Sequence, residues 1–323
     1  MRKTTVDAVM QQHTTNTPYL VGEAHFYTTE INGDLVLFDT GPNTEENLAF
    51  LEKEIDIRRL KYVFITHAHV DHYGLAAFIS RNYEAEVLLP RKDAIKFRES
   101  REQISYIRRI LNECGFDDEF AAGLRHITQK EEIFPAFPER YSIVEESDVP
   151  ASLGISWISC PGQSQSDFVY LLGNNAVTGD ILLRNIFQSP LLDLDLETFS
   201  GRFRNYDAYC ASLLGIEKLR GYEIHPGHRF SVDSVDDTVL FYVRKLIERA
   251  GQVKRFAGIK SVREVIGHIF GDSPGDTFVT YLKVSQIIFI RDFLAEPERL
   301  RESLEHMGLF DAVKELYAEV VEE

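Results

Sequence analysis

Apolar and polar positions change period several times along the chain, and those changes mark its elements. From Glu23 the run EAHFYTTE, then Asn32-Gly33, then DLVLFD reads as two β-rich segments around a two-residue turn. Asn-Gly in that setting predicts a hairpin, because a type I′ turn needs positive φ at both central residues. Asp39-Thr40-Gly41-Pro42 is a loop by composition. NTEENLAFLEKEI then takes up a helical period and opens with the capping pattern Asn43-x-x-Glu46. KYVFIT (61–66) predicts a buried strand, HYGLAAFISRNY (72–83) a helix packed on it, and EAEVLLP (84–90) a further strand. Strand, helix, strand, helix, strand in this order implies a layered α/β fold.

Residues 91–140 are charged and helical, as in DAIKFRESREQISYIRRILNECG, and form an insertion that either covers a site or packs as a plain layer. Strands return in SWISCP (156–161), in DFVYLLG (167–173) with an Asn174-Asn175 turn, and in AVTGD (176–180). Residues 181–205 read as a long irregular loop, 205–221 as a helix, and YEIHPGH (222–228) as a last strand with its loop. Beyond about residue 235 every segment has a helical period. The expected organisation is an α/β domain over 1–235 followed by a helical region over 236–323.

Composition narrows the function classes. With 35 Lys+Arg against 51 Asp+Glu the net charge is −16, which repels phosphate backbones and argues against nucleic-acid binding or docking on anionic membranes. A small-molecule substrate is the better expectation. Hydrophobic residues make up 44% of the chain, so a normal core is available, yet no run approaches the roughly 18 apolar residues of a membrane span. The opening MRKTTVDAVMQQHTTNTPYLV turns polar after two basic residues, unlike a signal peptide. Cys114, Cys160 and Cys210 lie far apart without paired spacing, as expected for buried thiols in a cytoplasmic protein.

Chemistry concentrates in Thr66-His67-Ala68-His69-Val70-Asp71-His72, where three of the ten histidines and a carboxylate follow an apolar strand. His67 and His69, at i and i+2, point the same way on an extended loop end, while Asp71 and His72 sit where the turn enters a helix. Imidazole nitrogen with carboxylate oxygen suits one or two divalent transition ions: zinc, iron or manganese. Gln163, Asp180 and His228 each fall just past the end of a predicted strand, the place where ligand sites form in layered α/β folds.

The His-x-His-x-Asp-His run resembles the hallmark of the metallo-β-lactamase fold superfamily, over roughly residues 20–235. Further motifs follow in the family's order: Asp39-Thr40-Gly41, Pro161-Gly162-Gln163-Ser164, Thr178-Gly179-Asp180 and Pro226-Gly227-His228. The resemblance implies a four-layer αβ/βα sandwich carrying a C-terminal helical extension. It also implies a first metal site with His67 and His69, a second with Asp71, His72 and His228, and Asp180 bridging them. The chain departs from the family at Gln163, which stands where a third histidine of the first site is expected. An amide oxygen is a weaker ligand than imidazole, so the first site should lose affinity and the centre should hold one ion, or two unevenly. Asp167 and His225 are the candidate replacements for that ligand, although capping and strand packing are their more ordinary roles.

The implied activity is that of a metal-dependent hydrolase in which metal-activated water attacks an ester, thioester or lactone, Asp71 serving as both ligand and proton acceptor. The long insertion and helical tail are similar to hydroxyacylglutathione-hydrolase-like proteins and related thioesterases or lactonases. Arg184, Arg202 and Arg204 in the 181–205 loop are candidates to hold an anionic substrate group. The alternative, resting on Gln163, is a degenerate member of the fold that binds a ligand or partner without turnover. Apolar faces such as VSQIIFIRDFL in the tail would pack on the core or form a homodimer contact.

Overall fold

The computed structural model describes residues 9–130, 133–271 and 276–322; residues 1–8 of the polar opening segment and 131–132 of the helical insertion lie outside it. The strands are β1 Gln11–Thr15, β2 Ala24–Ile31, β3 Asp34–Phe38, β4 Leu60–Phe64, β5 Glu86–Leu89, β6 Ser142–Ile143, β7 Ser156–Ser159, β8 Phe168–Leu172, β9 Asn175–Gly179 and β10 Glu223–Pro226. The helices are α1 Glu45–Glu54, α2 Ala76–Asn82, α3 Arg91–Arg98, α4 Ser100–Glu113, α5 Asp118–Thr128, α6 Val149–Ser152, α7 Asn205–Ile216, α8 Val235–Lys254, α9 Val262–Phe270, α10 Thr277–Ala295, α11 Glu298–Met307 and α12 Lys314–Val321.

Two sheets form. One runs β1-β2-β3-β4-β5-β6 and the other β10-β9-β8-β7. Antiparallel pairing holds β1, β2 and β3, and parallel pairing continues through β4, β5 and β6. The second sheet is antiparallel except between β9 and β10. The predicted hairpin is present: Ile31 pairs with Asp34, and Asn32 and Gly33 take φ of 54° and 91°. The second hairpin turns one residue earlier than expected, at Gly173-Asn174, so that Asn175 already pairs with Leu172. The cap of α1 moves the other way. Thr44, not Asn43, is the N-cap, its hydroxyl accepting from the Asn47 amide.

Period-2 alternation sorts the strand residues into layers. Phe26, Leu37 and Val63 face outward onto α1 and α2, in a cluster with Leu51 and Ile79. Their neighbours Tyr27, Phe38 and Phe64 face inward, where they meet Phe168, Tyr170 and Val177 of the second sheet. Val169 and Ala176 point to that sheet's outer side, onto α4, α5, α7 and the helices beyond residue 235. Helices, sheet, sheet, helices: this is the four-layer αβ/βα sandwich with its C-terminal helical region. The outer cluster runs from Tyr106 to Val320 without a break at residue 235. No helix among the described residues is long and apolar enough to cross a membrane.

Between the sheets Phe38 stacks on Phe64 at 5.5 Å between centroids, and Tyr170 meets Phe64 edge-on at 5.3 Å. Phe64 is completely buried, and its backbone leads into the His67–His72 loop. Phe64→Ala should therefore destabilise the protein by about 3–5 kcal/mol, the usual cost of such a core truncation. Denaturant unfolding followed by circular dichroism measures it.

Candidate metal centre

Five strand ends deliver the site. The register sets Phe38 of β3 level with Phe64 of β4, so Asp39 and Thr66 leave the first sheet side by side. Across the sandwich Gly179 of β9 is level with Pro226 of β10, which places Asp180 beside the loop to His228. β7 ends shortly before Gln163. All seven residues singled out in the sequence, His67, His69, Asp71, His72, Gln163, Asp180 and His228, come together in one linked group. His72 Nε2 lies 3.2 Å from Asp180 Oδ1, and His228 Nε2 lies 3.3 Å from the same oxygen and 3.2 Å from Asp71 Oδ2. His67 Nε2 is 3.8 Å from Asp180 Oδ2, and Gln163 Nε2 donates to that oxygen at 3.1 Å.

The outer nitrogens of the rings have fixed partners. His72 Nδ1 bonds Asp39 Oδ2 at 2.8 Å, His228 Nδ1 bonds the Glu23 carbonyl at 2.7 Å, and His67 Nδ1 bonds Thr66 Oγ1 at 3.0 Å. Since the Thr66 hydroxyl itself donates to Asp39 Oδ2 at 2.8 Å, it accepts from His67. Each ring is thus held as the Nδ1–H form, with a bare Nε2 lone pair turned inward. Asp39 supports the arrangement from a left-handed backbone, φ 58°, with Oδ1 accepting from the Thr66 amide at 2.8 Å.

Bare nitrogens facing carboxylate oxygens are all acceptors, so something positive is required among them. Nε2 of His69, His72 and His228, Oδ1 of Asp180 and Oε1 of Gln163 are buried without a hydrogen-bond partner. Buried polar atoms are rarely left so. Two triplets, His67/His72/Asp180 and Asp71/His72/His228, each present ligand atoms within 4.8 Å of one another. These donors fit a divalent transition ion. His69 belongs to neither triplet; its Nδ1 bonds His67 Nε2 at 2.8 Å.

The electrostatics point the same way. Burial opposes charge on His72 and His228, but Asp180 together with Asp39 for the first, and Asp180 with Asp71 for the second, raises both above the usual imidazole value. Burial likewise opposes charge on Asp71 and Asp180, and the neighbouring His228 and His72 override it, holding both below the carboxylate range. His67 is pushed well down by burial and by His69 and His72, and His69 falls to about 4, chiefly through burial. Within the cluster, His72 and His228 are the two imidazoles that favour a positive charge. Gly227 keeps it compact: a Cβ there would stand 2.5 Å from His72 Cε1 and 3.0 Å from Asp180 Oδ1.

The other candidates go elsewhere. Asp167 caps its own loop, accepting from the Ser164 amide and hydroxyl at 2.7 Å each, and burial raises it to about 6. His225 Nε2 bonds Asn175 Oδ1 at 2.8 Å within the second sheet. The loop arginines do not stand free to hold an anion: Arg184 pairs with Asp233, Arg202 with Asp292, and Arg204 with Asp207 and Glu296. Cys160 is buried, its thiol pushed up to about 12 by that burial. What the motif reading missed is the support. Asp39 was visible only as part of a loop motif, Thr66 as the residue before the first histidine, and the Glu23 carbonyl carries no side-chain signal at all.

Known proteins resemble this chain in sequence and in fold. The sequence profile of the family described as "Metallo-beta-lactamase superfamily" matches residues 21–248. The Bacillus subtilis (strain 168) protein named "Probable metallo-hydrolase YqjP" is 25% identical over 310 residues, covering 92% of this chain and 90% of its own length. Among solved structures, metallo-beta-lactamase family protein TTHA1429 from Thermus thermophilus superposes with a TM-score of 0.70 at 18% identity, over 90% of this chain and 94% of that one. A beta-lactamase domain protein from Burkholderia ambifaria gives 0.69 at 16% identity, over 91% and 90%.

Asp39 touches no ligand atom of the inward cluster yet holds both the His72 ring and Thr66. Asp39→Ala should weaken affinity for a divalent transition ion by about 10–100-fold, the usual effect of removing such an outer partner. Competitive titration of the metal-free protein with a chromogenic chelator reads it directly.

Proposed function

The chain belongs to the metallo-beta-lactamase superfamily, and from that premise we propose that it is a metal-dependent hydrolase acting on an ester, thioester or lactone bond of a small molecule. One observation carries the reading: three imidazoles held in the Nδ1–H form converge with Asp71 and Asp180 on a buried point where Nε2 of His72, Nε2 of His228 and Oδ1 of Asp180 have no hydrogen-bond partner. Asp71, His72 and His228 would hold one ion and His67 with Asp180 a second, with His69 and Gln163 at the margin of the latter; His72, with one free nitrogen, serves only one of them. Such an ion, when bound, supplies Lewis acidity and lowers the pKa of a coordinated water towards neutrality.

The remaining work falls to the chain's own side chains. Asp71 stays ionised because His228 and His72 stabilise its charge, which suits it to ligate and to orient water; the role of proton acceptor is the one the family resemblance implies for it. Asp180 sits between His72, His228 and Gln163 and keeps the two halves of the site at a fixed spacing. Gln163 is held in the centre by its bond to Asp180 and stands 3.4 Å from His69 Nδ1. Its Oε1 is one of the unpartnered atoms, so a neutral ligand is in reach of the first site in place of an imidazole.

Protein prepared without chelators should contain zinc, iron or manganese and cleave simple aryl esters or thioesters, and a chelator should abolish turnover until metal is restored. Asp71→Asn should lower kcat by about 10²–10⁴-fold, the range for a lost proton acceptor. Absence of both metal and turnover would favour the ligand-binding alternative. Gln163→His should tighten the weaker of two metal-binding steps, seen as a rise in metal stoichiometry by plasma emission spectrometry. Unchanged stoichiometry would remove Gln163 from the ligand set.

A further inference from the structure

An anionic substrate needs a cation beside the centre, and α3 carries one along the metal-ligand loop. Asp93, in the first turn of α3, faces the Ala68 amide between His67 and His69, and also Ser166. Phe97 on the same helix meets Tyr73 edge-on at 5.3 Å and stacks on Phe137 at 3.9 Å. With these two anchors, the face of α3 that carries Asp93 and Phe97 lies against the metal-ligand loop. Lys96, at i+3 from Asp93, shares that face. Its charge acts on both His69 and Asp93.

On its other side Lys96 meets a segment tied to the Gln163 loop. Its Nζ stands 3.5 Å from Asp193 Oδ2, with the side chain about a quarter exposed (26%). The segment bearing Asp193 is laced to the Gln163 loop. The Leu191 amide donates to the Gln163 carbonyl at 2.9 Å, Gln165 Nε2 donates to the Leu194 carbonyl at 2.7 Å, and the Leu196 amide donates to Gln165 Oε1 at 3.1 Å. Asp193 does not depend on the lysine. Both its oxygens accept from Gln103 Nε2 at 2.6 Å, and Oδ1 also accepts from the Leu194 amide at 2.8 Å. Lys96 is therefore a half-buried ammonium between the His67–His72 loop and the Gln163 loop, with one long ion pair to a carboxylate already satisfied.

Beside a divalent ion such an ammonium is repulsive, and an anion placed between them relieves the repulsion. We propose that Lys96 is the anion-recognition residue of this site, and that the substrate carries a carboxylate close to its scissile ester, thioester or lactone bond. A single ammonium suits one monoanionic group, whereas a phosphate dianion calls for several donors or a bidentate arginine, and the arginines of the 181–205 loop are engaged elsewhere.

This inference rests on the hydrolase reading, and the test separates the two. Full-length protein, loaded with Zn²⁺ to the same measured stoichiometry in every variant, is assayed on two aryl esters of equal acyl length. They are 4-nitrophenyl hydrogen glutarate, which carries a carboxylate, and neutral 4-nitrophenyl pentanoate. Lys96→Met and Lys96→Gln should raise KM for the glutarate ester by about tenfold or more with kcat little changed, leave the pentanoate untouched, and be largely rescued by Lys96→Arg. Equal losses on both esters, or none on either, would overturn the assignment. If the wild type cleaves neither ester, the hydrolase reading falls, and glutarate itself becomes the probe. Calorimetric titration showing about tenfold weaker glutarate binding in Lys96→Met than in wild type would keep the anion site. Equal affinities would end it.

Discussion

The centre depends on one buried carboxylate that is not itself among the inward-facing donors. Asp39 leaves β3 in a left-handed backbone conformation, takes the Thr66 amide and hydroxyl, and turns its second oxygen to His72 Nδ1. Three consequences follow from that single group. The start of the His67–His72 loop is pinned to the neighbouring strand; the Thr66 hydroxyl is left able only to accept from His67; and the His72 ring is fixed in one tautomer. An unpaired charge at such depth would be strongly destabilising, so Asp39 and its partners are formed together or not at all. The geometry of the centre is thus tied to the folding of the first sheet and is not left to loop mobility.

Much of the fold was legible because it rests on local chemistry. Asn32-Gly33 announces its turn through the positive φ that both residues take, and the alternation of Phe26/Tyr27, Leu37/Phe38 and Val63/Phe64 assigns each residue to an outer or inner layer. Boundaries were less legible. Asn43 and Thr44 are both good caps, and only the hydroxyl of Thr44 reaches the Asn47 amide. Asn174-Asn175 and Gly173-Asn174 are both plausible turns by composition, and strand register decides between them.

The site divides along the same line. Clustered histidines and strand-end motifs pointed to the inward-facing residues, since a metal-like set of side chains is dense in sequence. The surrounding partners were opaque for a physical reason. The Glu23 carbonyl that orients His228 is backbone, and Lys96 lies in a charged helix beside Arg91, Lys92 and Arg98, from which sequence alone does not distinguish it. Conversely, Arg202 and Arg204 looked available in sequence because Asp292 and Glu296, which engage them, lie about ninety residues away. Sequence distance hides neutralisation.

The unbroken outer cluster, from Tyr106 on α4 to Val320 on α12, bears on the order in which the chain can acquire its shape. While the polypeptide is being made, the second sheet and α7 are complete long before α10 to α12 have left the ribosome. Until they do, the apolar side of α7 that carries Tyr206 and Leu213 lacks part of its cover, and contacts such as Tyr206 to Phe289 and Phe293 are not yet possible. The half of the sandwich that supplies Gln163, Asp180 and His228 therefore has its outer apolar packing completed only by helices that lie far along the chain. The helices beyond residue 235 thus act as a clasp on that half of the sandwich.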